Sequence, residues 1–132
     1  MSLLVHADVT DGYEVYRSDN QVSPVGTFST LSAAFSYIND NAASDQWILK
    51  VGENDNAIVS AATFDAQGST VILISDAGVY SLEQTNPDVR HILVNHGNLI
   101  LENIVLEANS NAGGVVLSND SSITKIVGGT TI

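Results

Sequence analysis

The sequence predicts a mainly β fold in which short strands wind as a parallel solenoid, with one short α-helix near the N-terminal side. Three observations carry this expectation. Val, Ile and Thr account for 35 of 132 residues, and such side chains suit a pleated, half-buried surface. Apolar runs of three to five residues recur after Gln46 without a helical period between them, which disfavours a doubly wound α/β sheet. Several of these runs match one another at a spacing of 24 residues, and a fixed period is the mark of stacked coils.

Taken in order, Leu4-Val5, Val9, Tyr13 and Val15-Tyr16 suit one or two strands, with Asp11-Gly12 as a turn. Arg17 to Pro24 (RSDNQVSP) reads as loop. Ser29 or Thr30 then offers a hydroxyl N-cap. Leu31, Ala34, Phe35 and Ile38 follow at offsets 0, 3, 4 and 7, so one helix over residues 30–41 carries a single apolar stripe. Asn39 to Ser44 (NDNAAS) ends it. Three turns are too few to be stable alone, so the stripe must dock. The expected place is across a first coil headed by Trp47 to Val51. The remaining strands are expected at 57–59, 71–74, 79–82, 91–94, 99–101, 104–106, 115–117 and 123–127.

Antiparallel sandwiches and parallel solenoids both use strands of this length, and the spacing favours the second. Ile92 and Val116, Leu93 and Leu117, and Leu99 and Ile123 are each 24 apart; Val71 and Leu99 are 28 apart. In Asn98 to Asn109 (NLILENIVLEAN), Leu99 and Leu101 face one lumen. Asn103 turns a corner, and Ile104, Leu106 and Ala108 face the same lumen again. A strict 24-residue match sets Lys125 at the position of Leu101, and a lysine does not enter a dry core unpaired. Either the register slips by a residue in the last coil or the corner moves. Residues 1–26 form N-terminal strands and loop, and 27–132 the helix and coils. The end at Gly128-Gly129-Thr130-Thr131-Ile132 falls in mid-coil. The expectation is that the remainder of the chain or a second copy covers this open C-terminal end.

Fifteen Asp and Glu stand against four Lys and Arg, a formal charge of −11. That field opposes a phosphate backbone and an anionic membrane surface, so neither nucleic acid nor membrane is an expected partner. Only 14% of residues are charged; fifteen Ser, twelve Asn and nine Thr supply the polar surface instead. There is no cysteine, which removes disulfides and thiolate metal sites. No apolar run reaches a membrane span, and Met1 to Val5 lacks the features of a signal peptide.

Thr30 to Asn39 (TLSAAFSYIN), Ile92 to Leu106 with LILENIVLE at its centre, and Val115 to Ile132 (VVLSNDSSITKIVGGTTI) together resemble the right-handed parallel β-helix proteins of the pectin-lyase-like superfamily, of the bacterial secreted and surface-adhesin kind. The resemblance covers roughly residues 27–132. It implies a right-handed parallel β-helix with a short N-terminal capping helix, placed extracellularly or at the bacterial cell surface.

Catalytic constellations are sparse. A pectate-lyase-like site needs a basic proton abstractor beside calcium-holding carboxylates, and after Lys50 only Arg90 and Lys125 are basic. Polygalacturonase-like hydrolysis needs grouped aspartates, whereas Asp65, Asp76, Asp88 and Asp120 are scattered through expected turns. His91 and His96 are five apart, which does not set both on one strand face; His91 should flank a strand and His96 a turn with Gly97. Asn54-Asp55-Asn56 resembles a fragment of a calcium loop but lacks the glycine and distal glutamate of an EF-hand. Gly113-Gly114 and Gly128-Gly129 precede no helix, so they are not phosphate loops. Tyr13, Tyr16, Tyr37 and Tyr80 are too dispersed for a sugar platform. No catalytic residue, metal ligand or cofactor is assigned. The expected function is a non-catalytic structural or binding segment of a bacterial secreted or cell-surface, adhesin-like protein, with glycans or host surface proteins as further partners. The alternative is part of a polysaccharide lyase or glycoside hydrolase whose catalytic coils lie beyond residue 132.

Overall fold

The Thr30 hydroxyl accepts the backbone N–H of Ala33 at 3.1 Å, capping helix α1, Leu31–Asn41. Leu31, Ala34, Phe35 and Ile38 are its buried residues, the four that the spacing singled out. The computed structural model of the chain describes residues 12–43, 45–108 and 115–132, and of residues 120 and 121 the backbone alone. The strand expected at Leu4-Val5 and Val9, Asp11 of the Asp11-Gly12 turn, and Gly113-Gly114 lie outside the described residues.

Nine strands accompany the helix: β1 Tyr13–Arg17, β2 Gly26–Phe28, β3 Gln46–Val51, β4 Asp55–Ile58, β5 Ala62–Ser75, β6 Ser81–Gln84, β7 Ile92–Glu102, β8 Val105–Ala108 and β9 Val116–Ile126. They form a six-stranded sheet in the order β2-β1-β3-β5-β7-β9 and a three-stranded sheet in the order β4-β6-β8. From β3 onward, successive strands fall alternately in the large sheet and the small one. The pairings β3–β5, β5–β7 and β7–β9 are parallel, as are β4–β6 and β6–β8. β1 runs antiparallel to both β2 and β3.

This corrects the expected fold class, a mainly β right-handed parallel β-helix (solenoid) with a short N-terminal capping α-helix. The chain is a mixed α/β fold with one short helix, a mixed six-stranded sheet and a parallel three-stranded sheet. Two physical causes separate expectation and structure. First, β1 lies between β2 and β3 with opposite polarity, so the large sheet begins antiparallel. Second, glycines expected to end strands lie inside them. Gly68 and Gly97 have φ of 82° and 97°, a conformation glycine adopts freely. In β5 the buried set is Ala62, Phe64 and Ala66 before Gly68, then Ser69, Val71, Leu73 and Ser75 after it. In β7 it is Ile92 and Val94 before the bend, then Gly97, Leu99 and Leu101. The alternation changes phase while the strand continues, as at a β-bulge. The runs at 91–94 and 99–101 are thus the two halves of β7, those at 115–117 and 123–127 fall in the two halves of β9, and the run at 71–74 is the second half of the 14-residue β5. Residues 62–68, not among the strands expected from the sequence, are strand as well.

Three of the four pairing offsets read from the sequence appear in the ladders; the fourth, Leu99 with Ile123, does not, because Leu99 pairs with Thr124. Val71 pairs with Leu99, Ile92 with Val116 and Leu93 with Leu117. The register then shifts between Val94 and His96, so that Asn98 pairs with Ile123, Ile100 with Lys125 and Leu101 with Ile126. That one-residue slip keeps the exposed Lys125 off the core. Asn103, at φ 49°, turns the chain from β7 into β8, and its side-chain amide donates to Gly78 O at 2.9 Å.

The core lies between the two sheets, where Ile58, Leu82 and Leu106 of the small sheet join the inward residues of the large one. The helix docks on the first half of β5. Phe35 and Phe64 rings sit 5.7 Å apart. The Asn39 side chain donates to Thr63 O at 2.9 Å and accepts from Asp65 N at 2.8 Å, so it mimics a strand partner for that edge of β5. The expected docking site, Trp47 to Val51, meets the helix through Tyr37, whose ring stands edge-on to Trp47 at 6.3 Å.

Candidate functional site

The parallel ladder carries two inward columns. One is Trp47–Val71–Leu99–Thr124 and the other Leu49–Leu73–Leu101–Ile126. Each layer buries the one before it, and Trp47, Leu49, Val71, Leu73, Leu99 and Leu101 are all sealed from solvent. The last layer has no successor among the described residues. Ile126 is 56% exposed, and Leu117, Ile123 and Ile132 are 40%, 64% and 57% exposed. Full burial of such a side chain is worth roughly 1.5–3 kcal/mol, so an Ile126 this open forgoes much of it.

Among the described residues the backbone of this end is paired on one side only. β9 pairs with β7 alone in its sheet. Val127 N–H is given to Leu101 O at 3.0 Å, and strand alternation then turns the N–H groups of Thr124 and Ile126 away from β7. The other edge of the large sheet is β2, three residues long. β9 is therefore the one long edge of this sheet among the described strands, 11 residues with apolar side chains beside open donors and acceptors. Such an edge is a template for strand pairing. Thr131 begins a layer over the small sheet, donating its N–H to Ile104 O and accepting Leu106 N–H, both at 2.9 Å.

Four pairs of titratable side chains meet among the described residues, and three of them tie one segment to another. Arg17 of β1 pairs with Asp45 ahead of β3 and lies 4.4 Å over the Trp47 ring. Tyr13 Oη donates to Asp55 Oδ2 at 2.5 Å. Burial first, and this bond second, push the phenol well above its ordinary range. Tyr16 Oη donates to Glu14 Oε1 at 2.6 Å, and burial, then Glu14, raise it too. Both phenols are buried and neutral, and neither forms a sugar platform. Tyr37 packs on Phe28 and Trp47.

Asp65 and His96 are 31 residues apart in sequence but neighbours in the β5–β7 register, with His96 Nδ1 at 2.5 Å from Asp65 Oδ1. Spacing in the sequence does not place this contact, because the register shifts on both sides of Asp65. The only hint lay in the parallel offset of the flanking runs. His96 lies within β7 rather than in a turn, and Gly97 is the bend beside it. His91 is fully buried, with Nε2 donating to Leu82 O at 2.8 Å and Nδ1 without a partner among the described residues. Burial lowers its pKa, opposed by the Leu82 and Glu107 carbonyls.

The Asn54-Asp55-Asn56 segment is a tie between loops. Asn54 Oδ1 accepts Ser81 N at 2.9 Å, and Asp55 Oδ1 accepts Ala57 N at 3.1 Å. Asp88 N bonds to Asn86 Oδ1 in a turn. Asp76 lines an open groove of about 420 Å³ with Lys50 and Glu102. Arg90 presents its carbonyl to Gln84 Nε2 at 3.0 Å. The side chain of Asp120 is outside the described residues. Among the described residues no three His, Asp or Glu side chains converge as metal ligands, and no helix is long and apolar enough to cross a membrane. No protein-family model, curated protein or solved structure matches the chain.

Proposed function

We propose that this chain is a non-catalytic structural and binding module of a bacterial secreted or cell-surface, adhesin-like protein, and that it joins its partner through the β9 end. The observation that carries the reading is the uncovered last layer. A column of sealed side chains ends on Ile126, 56% exposed, next to an 11-residue strand with one side unpaired in its sheet. The paired titratable groups support the same reading. Arg17–Asp45, Tyr13–Asp55 and Asp65–His96 each link separate segments, which stiffens a scaffold. Placement outside the cell rests on the phrasing of Val115 to Ile132 and on a polar surface drawn from Ser, Thr and Asn rather than from charges.

Antibody staining of source cells tests the placement. Signal on intact cells is expected, and signal only after permeabilisation overturns it. Incubation with pectin and polygalacturonate tests the non-catalytic role. No release of unsaturated or reducing ends above buffer is expected; release that Asp65→Asn abolishes would overturn it.

A further inference from the structure

We propose that an outward groove on the large sheet docks an extended basic segment of a partner protein, whose lysine or arginine stems lie on isoleucines and whose charges face Asp76 and Glu102. This goes beyond the β9 reading and stands independently of it. The groove lies on β3, β5 and β7, which are inner strands of the sheet, so a strand added beyond β9 would leave it open.

The floor of the groove is apolar where an outward face would be polar. Gln46, Thr70 and Asn98 make one outward row in register, as expected of a wet surface. In the next outward row Ile48, Ile72 and Ile100 stand side by side on β3, β5 and β7, and Ile74 follows two residues along β5. Ile72, Ile74 and Ile100 each keep part of their surface open, while Val71, Leu73, Leu99 and Leu101 between them are sealed in the core. The groove of about 420 Å³ runs over Ile48, Ile72 and Ile74, and Gln21 of the β1–β2 loop also lines it.

Charge selects the occupant. Ser75, Asp76 and Glu102 line the groove where β5 and β7 finish. Lys50 lines it too, but stands in register beside Glu14 and lies 4.6 Å over the Tyr16 ring. Asp76 and Glu102 thus leave that end acidic, on a chain whose net charge is −11. Such a field draws cations and turns anions away. A lysine or arginine matches both parts of the groove, because its methylene stem covers apolar surface while its charged head stays in water. A bare cation gains nothing from the isoleucines, and a neutral apolar segment gains nothing from the acids. A second copy of this chain brings fifteen acids against four bases, so the field opposes it. An extended segment turns alternate side chains to one face, which matches the two-residue spacing of Ile72 and Ile74.

Fluorescence anisotropy of the full chain with labelled octapeptides tests this. The probe alternates lysine and serine. One control replaces lysine by glutamate; another replaces it by diaminobutyrate, which keeps the charge on a stem two methylenes shorter. The lysine probe should bind and the glutamate control should not, and the shortened stem should bind about threefold or more weakly. Glu102→Gln and Ile72→Ser should each weaken the lysine probe about fivefold. Asp88→Asn removes the same charge from an exposed turn ahead of β7 and should leave binding within about twofold. Circular dichroism and thermal melting confirm that each variant is folded, as expected for side chains that are part-exposed. Absence of binding by the lysine probe, or equal binding of the shortened stem, would overturn the fit to the isoleucines. Undiminished binding by Ile72→Ser would do the same. A loss with Asp88→Asn as large as that with Glu102→Gln would show attraction by the whole acidic surface and overturn the groove as its seat.

Discussion

Leu101 lies at the centre of the inward column, paired with Leu73 on one side and Ile126 on the other, and is fully buried. An aspartate there combines a lost apolar side chain with a charge that has no partner, so Leu101→Asp should cost about 3–5 kcal/mol. Chemical denaturation measures it, and an unchanged midpoint would refute the inward assignment. His91 gives the pH prediction. Burial depresses its folded-state pKa below the unfolded value of 6.5, so between those two values the unfolded chain binds more protons than the folded one. Its contribution to stability is full above about 6.5, is lost as pH falls below that value, and levels off once the depressed value is passed. Thermal melting between pH 7.5 and 5 should show this slope, and His91→Gln should flatten it. At this scale the sequence was partly legible. The helix stripe and the inward Leu99 and Leu101 follow from periodicity alone. The Asp65–His96 and Tyr13–Asp55 contacts do not, because 31 and 42 residues separate the partners.

Strand bends decide the element scale. A Cβ at Gly97 would lie 2.5 Å from Ala66 O, 2.8 Å from the Phe64 ring and 3.0 Å from Ser69 O. Its φ of 97° adds strain for any other residue. Gly97→Ala should therefore destabilise by roughly 2–4 kcal/mol and loosen β7 against β5. Faster amide exchange in β5 and β7 than in the helix would show where the loss falls. The same glycines explain why strand boundaries were misread. A change of alternation phase looks identical in sequence whether the chain turns a corner or bulges and runs on. Only the neighbouring strand, which supplies continuous partners across the bend, makes it one strand. α1 is the contrary case, since its cap and stripe are local and both were readable.

Across the whole molecule, charge is one-sided. A net charge of −11 on 132 residues opposes compaction, and the excess lies in residues 1–107. Raising NaCl from 10 mM to 0.5 M should increase the melting temperature of the chain, because salt screens the repulsion among its carboxylates. A melting temperature that falls with salt would mean that attractive pairs such as Arg17–Asp45 outweigh the repulsion.

The sequence by itself determined the capped helix, the identity of most inward side chains and the offsets of three parallel pairs, Val71 with Leu99, Ile92 with Val116 and Leu93 with Leu117. All of these depend on residues near in sequence or on a spacing that repeats. The tertiary structure alone decided that β1 enters the large sheet with reversed polarity, that glycine bends join short runs into long strands, and that Asp65 meets His96. It also decided that Ile126, the last of its column among the described residues, is exposed. The reason is physical: polarity and continuity of a strand are set by hydrogen bonds to a distant segment, and the chain's local pattern carries no record of which segment that is.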